Sequence, residues 1–259
     1  MSAAVELRAR LRRYYTASYR DTLAIPGWAT LVELREEEEE RLEATHLERL
    51  RHRVGAEPLG GRVLNVGCGT GGFNILAAGA GARVVGVDDD DEAIAICGLK
   101  ARQTGGAFVR AYAEVLPFAD EVFDLVHCFS VIEHVRSVEA TVAEMARVTR
   151  RGGVVYVHTP SAWSLWEGHY KLFWLPFLPP PLARLYLRLR GRPTAYLATL
   201  RRLTPGRLRR AFARVGMPDA TLYADTPARE SVGRLRGISG LYYRATGASP
   251  FIELVARKP

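Results

Sequence analysis

Val63-Leu64-Asn65-Val66-Gly67-Cys68-Gly69-Thr70-Gly71-Gly72-Phe73 sets a short β-type run against a cluster of glycines, and helix-forming residues resume at Ile75-Leu76-Ala77-Ala78. The pattern predicts a buried parallel strand, a tight turn and the first turn of a helix. Glycine has no Cβ, so it tolerates positive φ and lets a ligand lie directly against the backbone. The free N–H groups of the helix start favour a negatively charged ligand group. Gly67, Gly69 and Gly72 also satisfy G-x-G-x-x-G, so a nicotinamide cofactor and a plain glycine turn both stay open at this point.

Downstream, Arg83-Val84-Val85-Gly86-Val87 predicts a second buried strand, ending on Asp88-Asp89-Asp90-Asp91-Glu92. Asp90 or a neighbour can cap the next helix, and the acids complement its dipole. Asp88, first past the strand, stands where a carboxylate can accept from both ribose hydroxyls of a nucleoside. Further strands are predicted over Ala107 to Ala111, Phe123 to Phe129 and Val154 to His158. Between the last two, Val138, Val142, Met145 and Val148 recur at helical spacing, with Arg147, Arg150 and Arg151 in the expected last turn and Gly152 as its stop. Strands alternating with helices imply a right-handed parallel sheet with ligands across its carboxyl edge.

The chain has 259 residues, 48% of them hydrophobic and 25% charged, enough for one α/β domain with a sizeable core. Cys68, Cys97 and Cys128 are odd in number and form no C-x-x-C pair, so reduced thiols and no zinc site are expected. No signal peptide and no apolar run of membrane-span length is read, and a cytoplasmic protein is expected. Charge is uneven: from Gly168 to Pro218 there are Lys171 and ten arginines with no acid, a segment of +11 in a chain of net +8. A basic stripe of this kind favours an anionic substrate or surface.

With these blocks in order, the chain resembles the class I S-adenosylmethionine-dependent methyltransferases, in the subgroup of the ubiquinone- and menaquinone-biosynthesis enzymes. Val-Leu-Asn-Val-Gly-Cys-Gly-Thr-Gly-Gly is similar to the first motif and Val-Val-Gly-Val-Asp to the second. Ala-Glu-Val-Leu-Pro-Phe, Phe-Asp-Leu-Val, Glu-His-Val and Arg-Val-Thr-Arg-Arg-Gly-Gly follow in the family's order, across about residues 60–160. The resemblance implies a Rossmann-like, seven-stranded, mostly parallel sheet with helices on both faces, whose last strand is antiparallel. It organises the chain as an N-terminal helical cap (1–57), a cofactor-binding core (58–160), an aromatic and Arg-rich lid inserted after strand five (161–203) and a completion of the core (204–259). S-adenosyl-L-methionine is the implied cofactor. Gly67, Cys68 and Gly69 would line its methionyl and ribose part, Asp88 would hold the ribose hydroxyls, Ala113 and Glu114 would border the adenine, and Phe129 with Ser130 would close the site. Asn65 stands where the group usually has Asp, Tyr112 where an Asp often bonds the adenine amino group, and Asp89 where an apolar residue usually lies under the adenine.

Methyl transfer from a sulfonium is an in-line displacement, so alignment in a water-poor cleft is the main demand and no metal is required. A hydroxyl or phenol acceptor needs a base, and histidine suits neutral pH. His134 after strand four, His158 at the end of strand five and His169 in the following segment are the candidates, each with a structural alternative. Residues 161–203 mix Trp163, Trp166, Tyr170, Phe173, Trp174, Phe177 and Tyr186 with Pro176 and Pro179 to Pro181, which forbids one long helix. Loops and short helices over the sheet edge are expected, serving as a lid or as a peripheral contact with an anionic membrane. The Glu36 to Glu40 run is expected to be a solvated helix face. The overall expectation is methylation of a small molecule, on oxygen, with a lipophilic or anionic acceptor. The rivals are a nucleic-acid methyltransferase, disfavoured because Phe129-Ser130-Val131-Ile132 lacks a proline-aromatic signature, and a cofactor-binding protein without activity.

Overall fold

The computed structural model describes residues 3–104, 106–224 and 236–259. Helices α1 (Ala3–Thr16), α2 (Trp28–Glu37) and α3 (Glu39–Val54) precede the core. The core then runs β1 (Arg62–Val66), α4 (Gly72–Gly79), β2 (Arg83–Asp88), α5 (Asp91–Thr104), β3 (Ala107–Arg110), β4 (Phe123–Phe129), α6 (Val138–Val148) and β5 (Thr149–Pro160). A two-stranded ribbon, β6 (Trp166–Glu167) with β7 (Leu172–Phe173), and α7 (Pro180–Leu189) form the insertion. The chain closes with α8 (Pro205–Arg214), β8 (Thr221–Ala224), α9 (Arg236–Thr246) and β9 (Phe251–Arg257).

The main sheet has seven strands in the order β3-β2-β1-β4-β5-β9-β8. β1 to β5 pair in parallel, while β9 runs antiparallel to β5 and to β8. Consecutive strands fan out from β1 on one side and β4 on the other, so the order reverses between them. That reversal leaves a crevice outside the carboxyl ends of β1 and β4, where ligands of open α/β sheets bind.

Burial on both sheet faces explains the unbroken apolar strands. Leu64, Val66, Val126, Cys128, Val155 and Val157 pack against α6 and α8 through Val142, Met145, Leu208 and Phe212. Val63, Leu125, Val154 and Tyr156 face the other way onto Leu50, Phe73 and Ala77. Each such side chain removed from water contributes roughly 1.5–3 kcal/mol before entropy is counted.

Helix α6 stops earlier than its arginines predict. Thr149 is extended (φ −74°, ψ 131°), and its hydroxyl donates to the Met145 carbonyl at 2.6 Å, meeting an acceptor the helix would leave open. Arg150 and Arg151 therefore lie on β5, where Arg150 pairs with Asp124. The acidic run also departs from a solvated face. It is split at Glu38, which separates α2 from α3. Glu36 accepts from Arg12 at 2.7 and 2.9 Å, and Glu39 accepts from Thr70 and Lys100. The cap is thereby fastened to the core through its acids.

Residues of the insertion pack on the cap. Tyr170, Leu172, Trp174, Ala183 and Leu187 form one buried cluster with Leu23 and Ile25. Several arginines tie backbone together: Arg192 donates to the Ala24 carbonyl, Arg201 to Val135 and Arg202 to Leu178. Among the described residues, no helix is long and apolar enough to cross a membrane.

Candidate active site

The turn after β1 is built on glycines with positive φ, +71° at Gly67 and +52° at Gly69. Gly67 and Cys68 both donate to the Val87 carbonyl, at 2.8 and 2.9 Å, which pins the turn to β2. A Cβ at Gly67 would meet Val131 at 2.1 Å, so only glycine fits there. A Cβ at Gly69 would meet nothing within 4 Å, because that face opens into a cleft. Asp88, ending β2, accepts from the Gly69 N–H at 2.8 Å and from the Asp90 N–H at 3.1 Å. Burial pushes the Asp88 carboxyl above its ordinary pKa, against the lowering effect of those two bonds.

A cleft of about 540 Å³ lies outside the ends of β1, β2 and β4. Gly67, Gly69, Asp88 and Asp89 form one wall, Ala113 and Glu114 a second, and Phe129, Ser130 and His134 a third. Glu114 accepts from the N–H groups of Arg136 and Ser137 at the start of α6, which orients its carboxylate. Tyr112 is exposed at the rim with the Arg136 guanidinium 4.7 Å from its ring centre. Ser130 holds φ +54° while its N–H donates to the His158 carbonyl at 2.7 Å. A left-handed serine costs roughly 1–2 kcal/mol and turns the chain sharply off β4 along the cleft.

Four of the residues singled out from sequence lie off the cleft, Asn65, Cys68 and His158 in the interior and His169 in an adjoining cavity with Glu133 and Glu167. Asn65 is buried, donates to Asn74 at 2.7 Å and pairs with His127 Nδ1 at 2.8 Å. Asparagine serves both bonds, whereas an aspartate could not donate to Asn74. Cys68 is buried, and both its thiol and that of Cys97 donate to the Gly69 carbonyl, at 3.8 and 3.2 Å. His158 is 3% exposed and stacked under Phe129 with ring centres 4.3 Å apart. Its Nε2 lies 3.4 Å from Arg49, and burial lowers its pKa to about 3, so it is neutral. None of these three interior residues lines the cleft.

His134 and His169 do meet. Their Nε2 atoms are 3.2 Å apart, and His169 Nδ1 lies 2.7 Å from Glu167 Oε1. Burial lowers the His134 pKa to about 4, while Glu167 raises that of His169 despite its burial. The neighbouring Glu133 accepts from Thr159 at 2.8 Å, and burial raises its pKa to about 7. One polar side-chain atom each from Glu133, His134 and His169 lies within 4.8 Å of the others, and the two histidines use this closeness for a direct hydrogen bond. Sequence reading did not find Glu133 or Glu167, nor Tyr14, Tyr196 and Thr199, which bring the cap and the insertion to the same cleft. A carboxylate two residues before His169 was the available signal for Glu167.

Residues 64–157 match the family model described as a methyltransferase domain. An uncharacterized methyltransferase of Mycobacterium leprae is 34% identical over 61% of this chain and 50% of its own length. A ubiquinone biosynthesis O-methyltransferase of Rhizobium rhizogenes is 37% identical over 47% of this chain and 52% of its own. The chain thus spans about half the length of the curated relatives it matches. Among solved structures, an S-adenosylmethionine-dependent methyltransferase from Archaeoglobus fulgidus superposes with a TM-score of 0.59 at 18% identity, covering 86% of this chain and 97% of that one. A geranyl diphosphate methyltransferase in complex with S-adenosylmethionine gives 0.56 at 17% identity, covering 85% and 86%. Glycine turn, Asp88, strand order and sequence match agree: residues 64–157 carry a methyltransferase domain, and the chain has the fold of S-adenosylmethionine-dependent methyltransferases.

Proposed function

We propose that this chain transfers a methyl group from S-adenosylmethionine to an oxygen of a small lipophilic or anionic acceptor. The residues present fit the cofactor. The cleft falls in the size range of small-molecule sites, Gly69 has open space where a Cβ would stand, and the partly buried Asp88 keeps acceptor capacity beyond its two backbone bonds. When bound, the cofactor supplies an electrophilic methyl on a sulfonium. Gly67, Gly69 and Asp88 would hold it, with Ala113 and Glu114 beside the adenine and Phe129 and Ser130 closing the site. The cap and insertion would exclude water through Tyr14 and Tyr196.

The observation that carries the assignment to oxygen is His134, a half-buried neutral imidazole on the wall of the same cleft. A base there can take the proton of an acceptor hydroxyl. The names of the ubiquinone-biosynthesis relatives support an O-methylated, lipophilic product class. The test is incubation with methyl-labelled cofactor and a panel of phenols, catechols and carboxylates, each with and without an aliphatic tail, followed by product mass. Labelled ethers support the proposal. Labelled amines, or label only in added RNA or DNA, contradict it, and cofactor binding without any product favours a non-catalytic role.

One observation supports peripheral contact with anionic membranes through residues 161–203. Leu182, Leu185 and Leu189 form an exposed apolar stripe on α7, opposite the buried Ala183 and Leu187, and Leu175 and Phe177 are exposed before it. Arg184, Arg188 and Arg190 flank the stripe.

A further inference from the structure

Two members of the histidine cluster come from the insertion, outside the run of core motifs. Glu167 lies on β6 and His169 follows it. The Glu167 carboxylate is fixed twice, by the Tyr170 N–H donating to Oε2 at 2.7 Å and by His169 Nδ1 at 2.7 Å from Oε1. An ionised carboxylate can only accept, so His169 Nδ1 carries a proton. In neutral His169 the other nitrogen, Nε2, is then a lone pair. It faces His134 Nε2 at 3.2 Å and can only be met by an N–H, so His134 is protonated on Nε2. Its Nδ1 is left with the lone pair, on a ring that lines the cleft.

We propose that Glu167 and His169 are positioning residues that lock His134 in the tautomer whose Nδ1 can accept a proton, and that His169 takes up the proton His134 passes on. The proposal rests on O-methylation. As the acceptor's O–H proton moves to His134 Nδ1, its oxygen forms the new bond to the methyl carbon, and the sulfur keeps the pair of the broken S–C bond. The Nε2 proton of His134 then moves to His169 Nε2, leaving an imidazolium beside Glu167 and a neutral His134.

The charged and titratable groups facing the pair come from four segments. Glu133 precedes His134, its Oε1 3.9 Å from His134 Nε2 and without a hydrogen-bond partner. The Tyr196 ring lies 5.9 Å from His134 and 5.5 Å from His169. The Lys171 charge disfavours a cation on His169, and Arg201 and Arg202 line the adjoining cavity with Glu133, Glu167 and His169. The carboxylates favour a cation on His169, the lysine and arginines oppose it, and Glu167 is the group in direct contact. When His169 is already protonated, its Nε2–H must donate to His134, which reverses the tautomer and removes the base. The active form therefore exists above the His169 pKa, which lies above the ordinary value of 6.5.

The test is nitrogen NMR of the full chain carrying 15N-histidine, titrated with pH, with no cofactor or acceptor needed. The expected result is a His134 protonated on Nε2 alone at alkaline pH, switching its tautomer with the titration of His169. Glu167→Gln should lower that titration and mix the tautomers. With an acceptor, His169→Gln should cut kcat about ten- to a hundredfold with KM little changed, and move the ascending pH limb to the acid side. A merely structural role would leave that limb where it is. His134 protonated on Nδ1 at alkaline pH would overturn the relay. So would histidine signals in the purified chain that shift on adding a chelator and return with a divalent metal, since a cation would then occupy the gap. The predicted tautomer with no ether product would remove the O-methylation proposal, whereas ether product with the wrong tautomer would remove the relay alone.

Discussion

The backbone N–H of Gly69 donates to Asp88 Oδ2 across 2.8 Å, joining the turn after β1 to the end of β2. One bond thus fixes the two elements that would hold a nucleoside, and it biases the carboxylate toward its charged form while burial opposes that charge. Because burial is the larger effect, Asp88 protonates at a higher pH than a free aspartate. Ribose hydroxyls donate to the ionised form, so cofactor affinity should be full near neutrality and fall as pH drops through this raised pKa. Calorimetric titration with S-adenosylhomocysteine across an acid pH series would show the decline beginning above the ordinary aspartate value of 3.8. Affinity constant down to that value would contradict it.

Two glycines of one turn should fail differently. Gly67→Ala forces a methyl into Val131 at φ +71° and should destabilise the fold by about 1–3 kcal/mol, read as a lower urea midpoint. Gly69→Ala meets open space, so it should cost about 1–2 kcal/mol of backbone strain and weaken cofactor binding more than its stability loss explains. Equal effects of the two on binding, once stability is allowed for, would count against the cleft lying at Gly69.

Glu133 links stability to pH. Its folded pKa is raised from 4.5 to about 7 by burial, so between those values the folded chain keeps a proton the unfolded chain has lost. Stability therefore falls as pH rises through that window, by about 3 kcal/mol at most. Glu133→Gln, which retains an acceptor for Thr159, should remove this part of the slope in urea unfolding measured from pH 4 to 8. An unchanged slope would show that the carboxyl is ionised in the fold.

For the membrane reading, the full chain should float with vesicles rich in anionic lipid and remain behind with neutral ones. Replacing the exposed Leu182 and Leu189 by serine should weaken flotation by at least about tenfold, since two leucines inserted into lipid are worth more than ~1.4 kcal/mol. Binding unaffected by the double substitution would move the contact away from α7.

Much of the core was legible because its strands are buried on both faces and its turns need glycine. Phe123–Phe129 follows from its apolar run, the parallel arrangement through β5 from strands alternating with helices, and Asp88 from its place at a strand end. The position of Asn65 was not legible: strand alternation puts it on one face or the other, and only the register with His127 shows that it serves a buried network. His158 illustrates the same ambiguity at the end of β5. The helix break at Glu38 and the pairing of Glu36 with Arg12 depend on contacts between segments far apart in sequence. So does the meeting of His134 with His169, 35 residues on, because no local pattern encodes how the insertion folds back.

Calorimetric titration of the full chain and of Asp88→Asn with S-adenosylhomocysteine tests the central claim most directly. The account predicts saturable one-to-one binding to the unaltered chain, and an affinity lower by about ten- to a hundredfold in the variant, the worth of a hydrogen bond to a charged group. The urea midpoint should change far less, since asparagine keeps an oxygen for the Gly69 N–H. Equal affinity in the two proteins, or no binding to the unaltered chain at millimolar ligand, would contradict it.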